Sequence, residues 1–257
     1  MKHFTTFWKR RALLWELVKR GIKLKYRKSY LGIIWSLLEP LLATAVLTVV
    51  FGTLLGRGGR DFPLYVLCGR LLYSFYSSST KSAAKSIRAN ASMIKKVYVP
   101  KYLYPLSSIL FNYIITGISL LVLIPLCIYC RILPSFHMLY ALIPMALLFV
   151  LTYGSGMILA TVTVFFRDME YLWDVFLMVI MYTSAIMYTP ERLMKSGYAW
   201  ILKYNPLFCI ITNFRDAMMG DPLEPKYLMI AAAYGIVLSV VGTYLFYKKQ
   251  DDFILAL

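Results

Sequence analysis

The sequence predicts an all-α, polytopic membrane protein with six transmembrane helices, an N-terminal amphipathic interface helix, and short re-entrant helices before the last span. Three observations lead there. Of the 257 residues, 60% are hydrophobic and 16% charged, whereas a soluble domain carries roughly 25% charged residues. The apolar residues fall in runs close to the ~20 that a helix needs to cross hydrocarbon. The Lys and Arg residues, which bring the net charge to +16, sit between those runs. A backbone group left unpaired in lipid costs several kcal/mol, so runs of this length are read as helices. In a soluble protein such a charge would point to nucleic acid. Its placement here points to membrane topology and anionic lipid, and nucleic acid is not an expected partner.

Residues 4–28 form the first element. Phe4, Phe7, Trp8, Leu14, Trp15, Val18 and Ile22 recur at helical spacing among cations, and Arg11 interrupts the stripe. A basic helix with Trp and Phe on one side suits a membrane surface or a packing face on another protein. The first 28 residues carry ten Lys and Arg. They lack an uninterrupted apolar stretch with a small-residue cleavage site, so no cleavable signal peptide is expected.

The first span covers residues 31–55, followed by a Gly-rich turn over 56–62. The second, 63–80, ends in the polar run Ser77, Ser78, Ser79 and Thr80, and a polar, basic stretch follows to residue 104. The third covers 105–130. The fourth, 138–166, is long enough to tilt, and the fifth covers 172–189. The sixth, 228–247, leads into a polar tail. One domain accounts for 1–257: the interface helix to residue 30, spans one to five over 31–189, an external region over 190–226, and the last span with its tail over 227–257.

Orientation follows from the cations. With both termini in the cytoplasm, 19 of the 28 Lys and Arg lie on that side and eight on the other, with Arg70 inside the second span. The expected location is therefore the cytoplasmic membrane, with both termini inside.

The external region contains AWILKYNPLFCIITNF, an apolar stretch broken at Asn205 and Pro206. It is too short to span comfortably. We read two short helices dipping into the external leaflet and joined at that break, with surface helices as the alternative. Non-helical backbone at such depth needs protein or water around it, which places the break beside a pathway or a subunit seam.

Catalytic chemistry is not expected. The chain has no Gly-x-x-x-x-Gly-Lys-Ser/Thr phosphate cradle, and His3 and His137 lie at opposite ends of the topology. Cys127 and Cys130 have redox or metal spacing, but they end an apolar run without a second pair, and we read them with Cys68 and Cys209 as small apolar-facing residues. No catalytic, cofactor or metal site is expected. No internal repeat is evident, which counts against a secondary transporter.

Several residues are candidates for function. In the loop 81–104, Ala91, Met93, Ile94 and Val97 can share a short helical face beside Lys95 and Lys96, with Pro100 and Pro105 as punctuation. Such a helix suits docking into a partner's groove, and a solvated positive-inside loop is the bland alternative. Glu39 precedes Pro40 within the first span and is read either as a pathway-facing acid beside a helix break or as a snorkelling or ion-paired carboxylate. Arg70, near the external end of its span, has the snorkelling reading. Arg167 and Asp168 form an interfacial charge pair after the fourth span, with Asp174 one turn on. Tyr73, Phe75 and Tyr76 in the second span, and Tyr182 and Tyr188 in the fifth, offer faces on which sugar C–H groups stack, although Tyr also forms interfacial belts. Thr152, Gly156 and Ala160, and likewise Gly235, Ser239 and Thr243, have the small-residue spacing of close helix contacts.

Four segments carry a resemblance across the chain: LVKRGIKLKYRKSYLGIIWSLLEPLL (17–42), NASMIKKVYVPKYLYPLSSIL (90–110), FFRDMEYLWDV (165–175) and YNPLFCIITNFRDAMMG (204–220). Together, and in this order, they resemble the membrane subunit of ABC exporters of the polysaccharide type, which export O-antigen, capsule and teichoic-acid glycans. The resemblance implies a homodimeric permease. It implies two copies of a separate ATP-binding subunit that holds ATP and Mg, with no cofactor in this chain, and a lipid-linked polysaccharide as substrate. It also implies that residues 90–104 form the coupling helix, carried by Asn90, Met93, Ile94, Lys95, Lys96, Tyr98, Pro100 and Lys101. Candidate pathway or gating residues are Glu39, Tyr73, Tyr76, Tyr182, Tyr188, Asn205, Pro206 and Arg215. Gly21 departs from many relatives, which have an acidic residue after the basic pair. An ABC exporter of drugs or small lipids, a membrane-embedded glycan- or lipid-modifying enzyme, and a secondary transporter are the alternatives.

Overall fold

The computed structural model describes residues 11–27, 29–54, 59–96, 99–132 and 136–256, and no strand occurs among them. Phe4, Phe7, Trp8 and Tyr98 lie outside the described residues. Four helical stretches are long and apolar enough to cross a membrane: Gly32–Phe51, Leu103–Cys130, Phe136–Phe165 and Pro225–Lys249.

Helix α1, Arg11–Tyr26, buries Leu14 and Val18. Trp15 lies about 100° round the helix from Leu14 and is exposed, so it leaves the expected apolar stripe. A Cβ on Gly21 would come to 3.3 Å from the Phe111 ring. Glycine here lets α1 lie close on α5, Leu103–Ser119.

A 3₁₀ turn, Gly32–Ile34, leads into α2, Trp35–Leu54. Pro40 lies inside α2. Without an N–H it leaves the carbonyl of Ser36 unsatisfied by the helix. The Ser119 hydroxyl, from α5, donates to that carbonyl at 2.8 Å. Ser119→Ala should therefore strip the partner from a buried carbonyl and cost about 1–3 kcal/mol. A thermal unfolding midpoint equal to that of the parent would contradict this.

Helix α3, Phe62–Ala89, is 28 residues long. The serine-rich turn is expected to end this span, but the helix runs straight through it, with Thr80 held by hydrogen bonds and the Ser79 hydroxyl buried without a partner among the described residues. Ser79 and Thr80 are fully buried. Thr80 donates to Tyr76 O at 2.8 Å and accepts from Trp173 Nε1 at 3.0 Å. At 1.5 Å per residue α3 is about 42 Å long, longer than the ~30 Å hydrocarbon core, so its basic end projects past the apolar region. The short helix α4, Ala91–Lys96, follows directly.

Beyond α5, a 3₁₀ turn, Leu120–Val122, connects to α6, Leu123–Cys130. Pro125 removes one helical donor, which accounts for the tightened turn before it. Cys127 and Cys130 are buried free thiols. A 3₁₀ stretch, Phe136–Ala141, enters α7, Leu142–Phe165. Helix α8, Met169–Thr183, has 15 residues, about 22 Å. The expected fifth span thus leaves the helix at residue 184 instead of 189, and Ala185 adopts a φ of 48°.

Among the described residues, 190–226 hold three helices: α9 (Glu191–Met194), α10 (Ala199–Lys203) and α11 (Pro206–Met219). Leu207, Phe208, Cys209, Ile210 and Ile211 of α11 are at most 1% exposed. A surface helix would not be buried so completely. Helix α12, Pro225–Lys249, and the short α13, Phe253–Ala256, complete the chain.

Helices α7 and α12 form the most extensive pair. Their seam is made by Gly154, Gly235 and Gly242, with Ser239 Oγ donating to Val150 O at 3.0 Å. Gly156 faces Ala83 and Ile109 instead. Both small-residue stretches are therefore used within the subunit. By contrast α2 is little buried, as is α12 away from the seam. The outer side of α8 also leaves Tyr171, Val175, Val179 and Tyr182 exposed. Apolar faces of this size need lipid or another copy to cover them.

Candidate functional site

Three groups of expected residues are brought together, each by a different device. The first surrounds the end of α8. Asn205 caps α11: its Oδ1 accepts from Leu207 N at 3.0 Å and Phe208 N at 3.3 Å. Pro206 occupies the first helical position, where no donor is missed. The Asn205 amide nitrogen donates to Ser184 Oγ at 3.0 Å and to Thr183 O at 3.2 Å. One side chain thus starts α11 and bolts it to the end of α8.

Arg215 completes this knot from two turns along α11. It is 3% exposed and donates from Nε to Tyr65 O, from Nη1 to Ala185 O and from Nη2 to Ile186 O, at 3.0, 3.0 and 3.2 Å. Its guanidinium lies 3.4 Å over the Tyr65 ring. Tyr65 in turn donates to the carbonyls of Ala185 and Tyr188. A cation beside the carbonyls that end α8 also complements the helix dipole. The room for it comes from Gly69, where a Cβ would meet Nη2 at 2.5 Å. Tyr188 donates to Tyr182 O at 2.7 Å. Tyr65 and Gly69 were not singled out in the sequence, because a backbone-directed partner leaves no pattern along the chain.

Next to this knot is a groove of about 700 Å³ between α7, α8, the external helices and α12. Tyr76, Trp173, Phe176, Trp200, Tyr204 and Tyr234 contribute its aromatic faces. Tyr76 also donates to Ser155 Oγ at 3.1 Å. Tyr73 lies elsewhere on α3, donating to Leu177 O at 2.9 Å. Helical spacing of Trp173, Phe176 and Ile180 on α8 was the available signal for this wall.

The second group is Glu39 with Arg70. They were expected on different sides of the membrane, but their side chains meet at 3.9 Å. Both are long, so their tips reach a common depth from antiparallel neighbours. Glu39 is 71% exposed, and a pair this open contributes little stability.

The third group is the basic rim. Asn90 ends α3, donating to Ser86 O at 2.8 Å, while its carbonyl accepts from Met93 N and Ile94 N to begin α4. Ile94 is buried in a cluster with Ile87, Tyr104, Val164, Phe246 and Phe253. Lys101 donates to the carbonyl of Gln250, beside half-buried Pro100. Helix α4 is thus seated on the ends of α7 and α12, and Lys95 and Lys96 point outward, exposed. Arg167 and Asp168 are both exposed. The ion pairs at this rim join α3 to α8 instead: Lys81 with Asp174 at 2.8 Å, Lys85 with Glu170 at 3.6 Å, and Arg88 with Glu170. Between α1 and α2, burial lowers the pKa of Lys25, which Glu39 partly offsets.

Asp216, next to Arg215, is pushed up to about 6, chiefly by burial and then by Asp221 and Glu224, against the opposing pull of Arg215. A raised folded-state pKa means that the neutral acid fits best. Stability from this group is fully present below about pH 4 and is lost as pH rises through about 6. Asp216→Asn should therefore stabilise the protein at pH 7.5, by on the order of 1 kcal/mol once solvent screening of a partly exposed group is allowed for, and have no effect near pH 4. Equal gains at both pH values would contradict this.

The chain is similar to known transport proteins along most of its length. The model of the ABC-2 type transporter family matches residues 12–219. An O-antigen export system permease protein of Klebsiella pneumoniae is 28% identical over 94% of this chain and 93% of its own length. One from Myxococcus xanthus is 26% identical over 95% and 94%, and a polysialic acid transport protein of Escherichia coli is 25% identical over 91% and 92%. With most of its length matched from α1 to the end of α11, the chain belongs to the ABC-2 type transporter family.

Proposed function

We propose that this chain is the membrane-spanning permease subunit of an ATP-driven exporter that moves a lipid-linked polysaccharide across the cytoplasmic membrane. The observation that carries the reading is near full-length similarity to transporters whose names specify O-antigen and polysialic acid. In this reading α3 and α8 join the four apolar stretches as spans, giving six with both termini in the cytoplasm, and α1 lies at the inner interface. Helices α10 and α11 dip into the outer leaflet. Two copies enclose the path, covering the exposed apolar faces of α2 and α8. Two separate ATP-binding subunits hold ATP and Mg.

Force enters at residues 90–101. Helix α4 continues α3 after one residue and is seated by buried Ile94 on α7 and α12, so a push on it is transmitted to three long helices. The ion pairs of Glu170 and Asp174 carry the same push to α8, whose far end the Arg215 knot ties to α11. Asn205, Pro206, Tyr182 and Tyr188 then move as a unit at the external end.

The exposed Lys95 and Lys96 provide the test. Replacing both by Glu should leave the chain folded and reduce co-purification of the ATP-binding subunit at least tenfold, with loss of surface glycan. Retention of that subunit and of export by the charge-reversed chain would overturn the coupling role. Finding no ATP-binding subunit with the unaltered chain would overturn the whole reading.

A further inference from the structure

A polar cleft of about 110 Å³ opens where the end of α1 meets α2, α3 and α5. Tyr26, Trp35, Glu39, Ser74, Ser78 and Thr116 stand in its walls. Helices α2 and α5 belong to stretches that are long and apolar enough to cross a membrane. Hydroxyls in such helices commonly turn back to the carbonyl four residues earlier. Thr80, Thr152 and Thr161 do so, at 2.7–2.9 Å. The hydroxyls of Ser74, Ser78 and Thr116 form no hydrogen bond with any described residue, and all three face this cleft.

Polar groups at membrane depth require a polar companion, either protein or an aqueous filling. The walls restrict what that companion is. Lys25 and Arg70 both face the Glu39 carboxylate, so the charges at this wall compensate one another and leave the hydroxyls to a neutral ligand. A neutral polyhydroxyl ligand satisfies every group present. Its hydroxyls both give and take hydrogen bonds with Ser and Thr, the Glu39 carboxylate accepts from them, and Tyr26 and Trp35 offer faces for its C–H groups. The space is several times the ~10–15 Å³ that one water needs on the same measure, so the cleft has room for a small polar group and not for a whole glycan.

We propose that this cleft is a single-sugar subsite, which holds one residue of the glycan at the α1 end of the path before it moves outward. The inference rests on the polysaccharide-export reading and adds a place and a ligand chemistry to it.

Cysteine labelling tests it. Ser78→Cys is introduced into the full chain, whose native cysteines are all buried. Inside-out membrane vesicles are treated with a small cationic methanethiosulfonate. They come from cells that make the glycan and from cells blocked in its synthesis. We expect labelling in both, at least fivefold slower when the glycan is present. Equal rates, or no labelling in either, would overturn the subsite. Ser74→Cys, a more exposed position on the same cleft, replaces the first variant if that one does not accumulate. In parallel, Ser78→Leu fills the cleft and should reduce surface glycan at least fivefold at equal chain level. Export at the normal rate by this variant would remove the subsite and leave the exporter reading intact. That reading fails separately if cells lacking this chain still display the glycan.

Discussion

Gly154→Val should abolish accumulation of the folded chain in the membrane. A Cβ on Gly154 would stand 2.8 Å from Leu238 Cβ and even closer to the backbone of Leu238 and Ser239. Backbone atoms do not rotate aside as a side-chain tip does, so α12 must move as a body. That movement would open the Gly242 contact, where a Cβ would lie 2.6 Å from Gly154 O, together with the Ser239–Val150 and Tyr153–Thr243 hydrogen bonds. Overpacking costs typically 1–3 kcal/mol where side chains can adjust, and more is expected here. Gly156→Ala is the internal comparison. Its new methyl group meets mainly the Ile109 and Ala83 side chains, so a smaller loss is expected. Membrane level and unfolding midpoint in detergent are the readouts, and a Gly154→Val chain as stable as the Gly156→Ala chain would contradict the assigned seam.

Arg215→Leu should destabilise the protein by about 2–6 kcal/mol, the cost of leaving two buried carbonyls unsatisfied at about 1–3 kcal/mol each, and lower the unfolding midpoint by roughly 4–24 °C. The carbonyls of Tyr65, Ala185 and Ile186 lose the Arg215 donor at once, and only Ala185 keeps a second one, the Tyr65 hydroxyl. The stretch after α8, with Ala185 in the left-handed region, would lose the contacts that hold it there. Arg215→Lys should recover little. A single ammonium on a flexible stem does not reproduce the planar fork that serves three carbonyls and covers the Tyr65 ring. Full rescue by Lys would show that charge, and not shape, is what the site requires. A further sign of the released knot would be proteolysis within residues 184–190, protected in the parent chain.

Much of the helical layout was readable because the length of a hydrocarbon crossing is a local property. The runs starting at Gly32, Leu103, Phe136 and Pro225 lie within a few residues of their expected bounds. What escaped was decided between distant segments. Helix α3 passes through Ser77–Thr80 because Trp173 and the helix's own carbonyls satisfy Thr80, and nothing near residue 80 announces Trp173. Helix α8 stops at Thr183 because Arg215, 32 positions on, takes over the carbonyls that follow. Pro40 is expected to break the first span, but α2 continues through it, and the hydroxyl that answers its missing donor belongs to Ser119. The candidate residues fared similarly. Asn205 and Pro206 stood out as a break in an apolar stretch, and the structure gives that break its form as the cap of α11. The meeting of Glu39 and Arg70 depended on the reach of two long side chains, which depth alone misjudged. The rim pairs of Glu170 and Asp174 with Lys81, Lys85 and Arg88 required knowing that α3 runs alongside α8.

The central claim is that this chain provides the path while ATP hydrolysis by another subunit provides the work. Proteoliposomes containing the full chain and its ATP-binding subunit, with labelled lipid-linked glycan on the nucleotide side, test it most directly. The account predicts that glycan becomes inaccessible to an added glycosidase only when ATP and Mg are supplied, and that Lys95/Lys96→Glu abolishes the effect. Translocation at the same rate without nucleotide, or driven by an ion gradient alone, would contradict it.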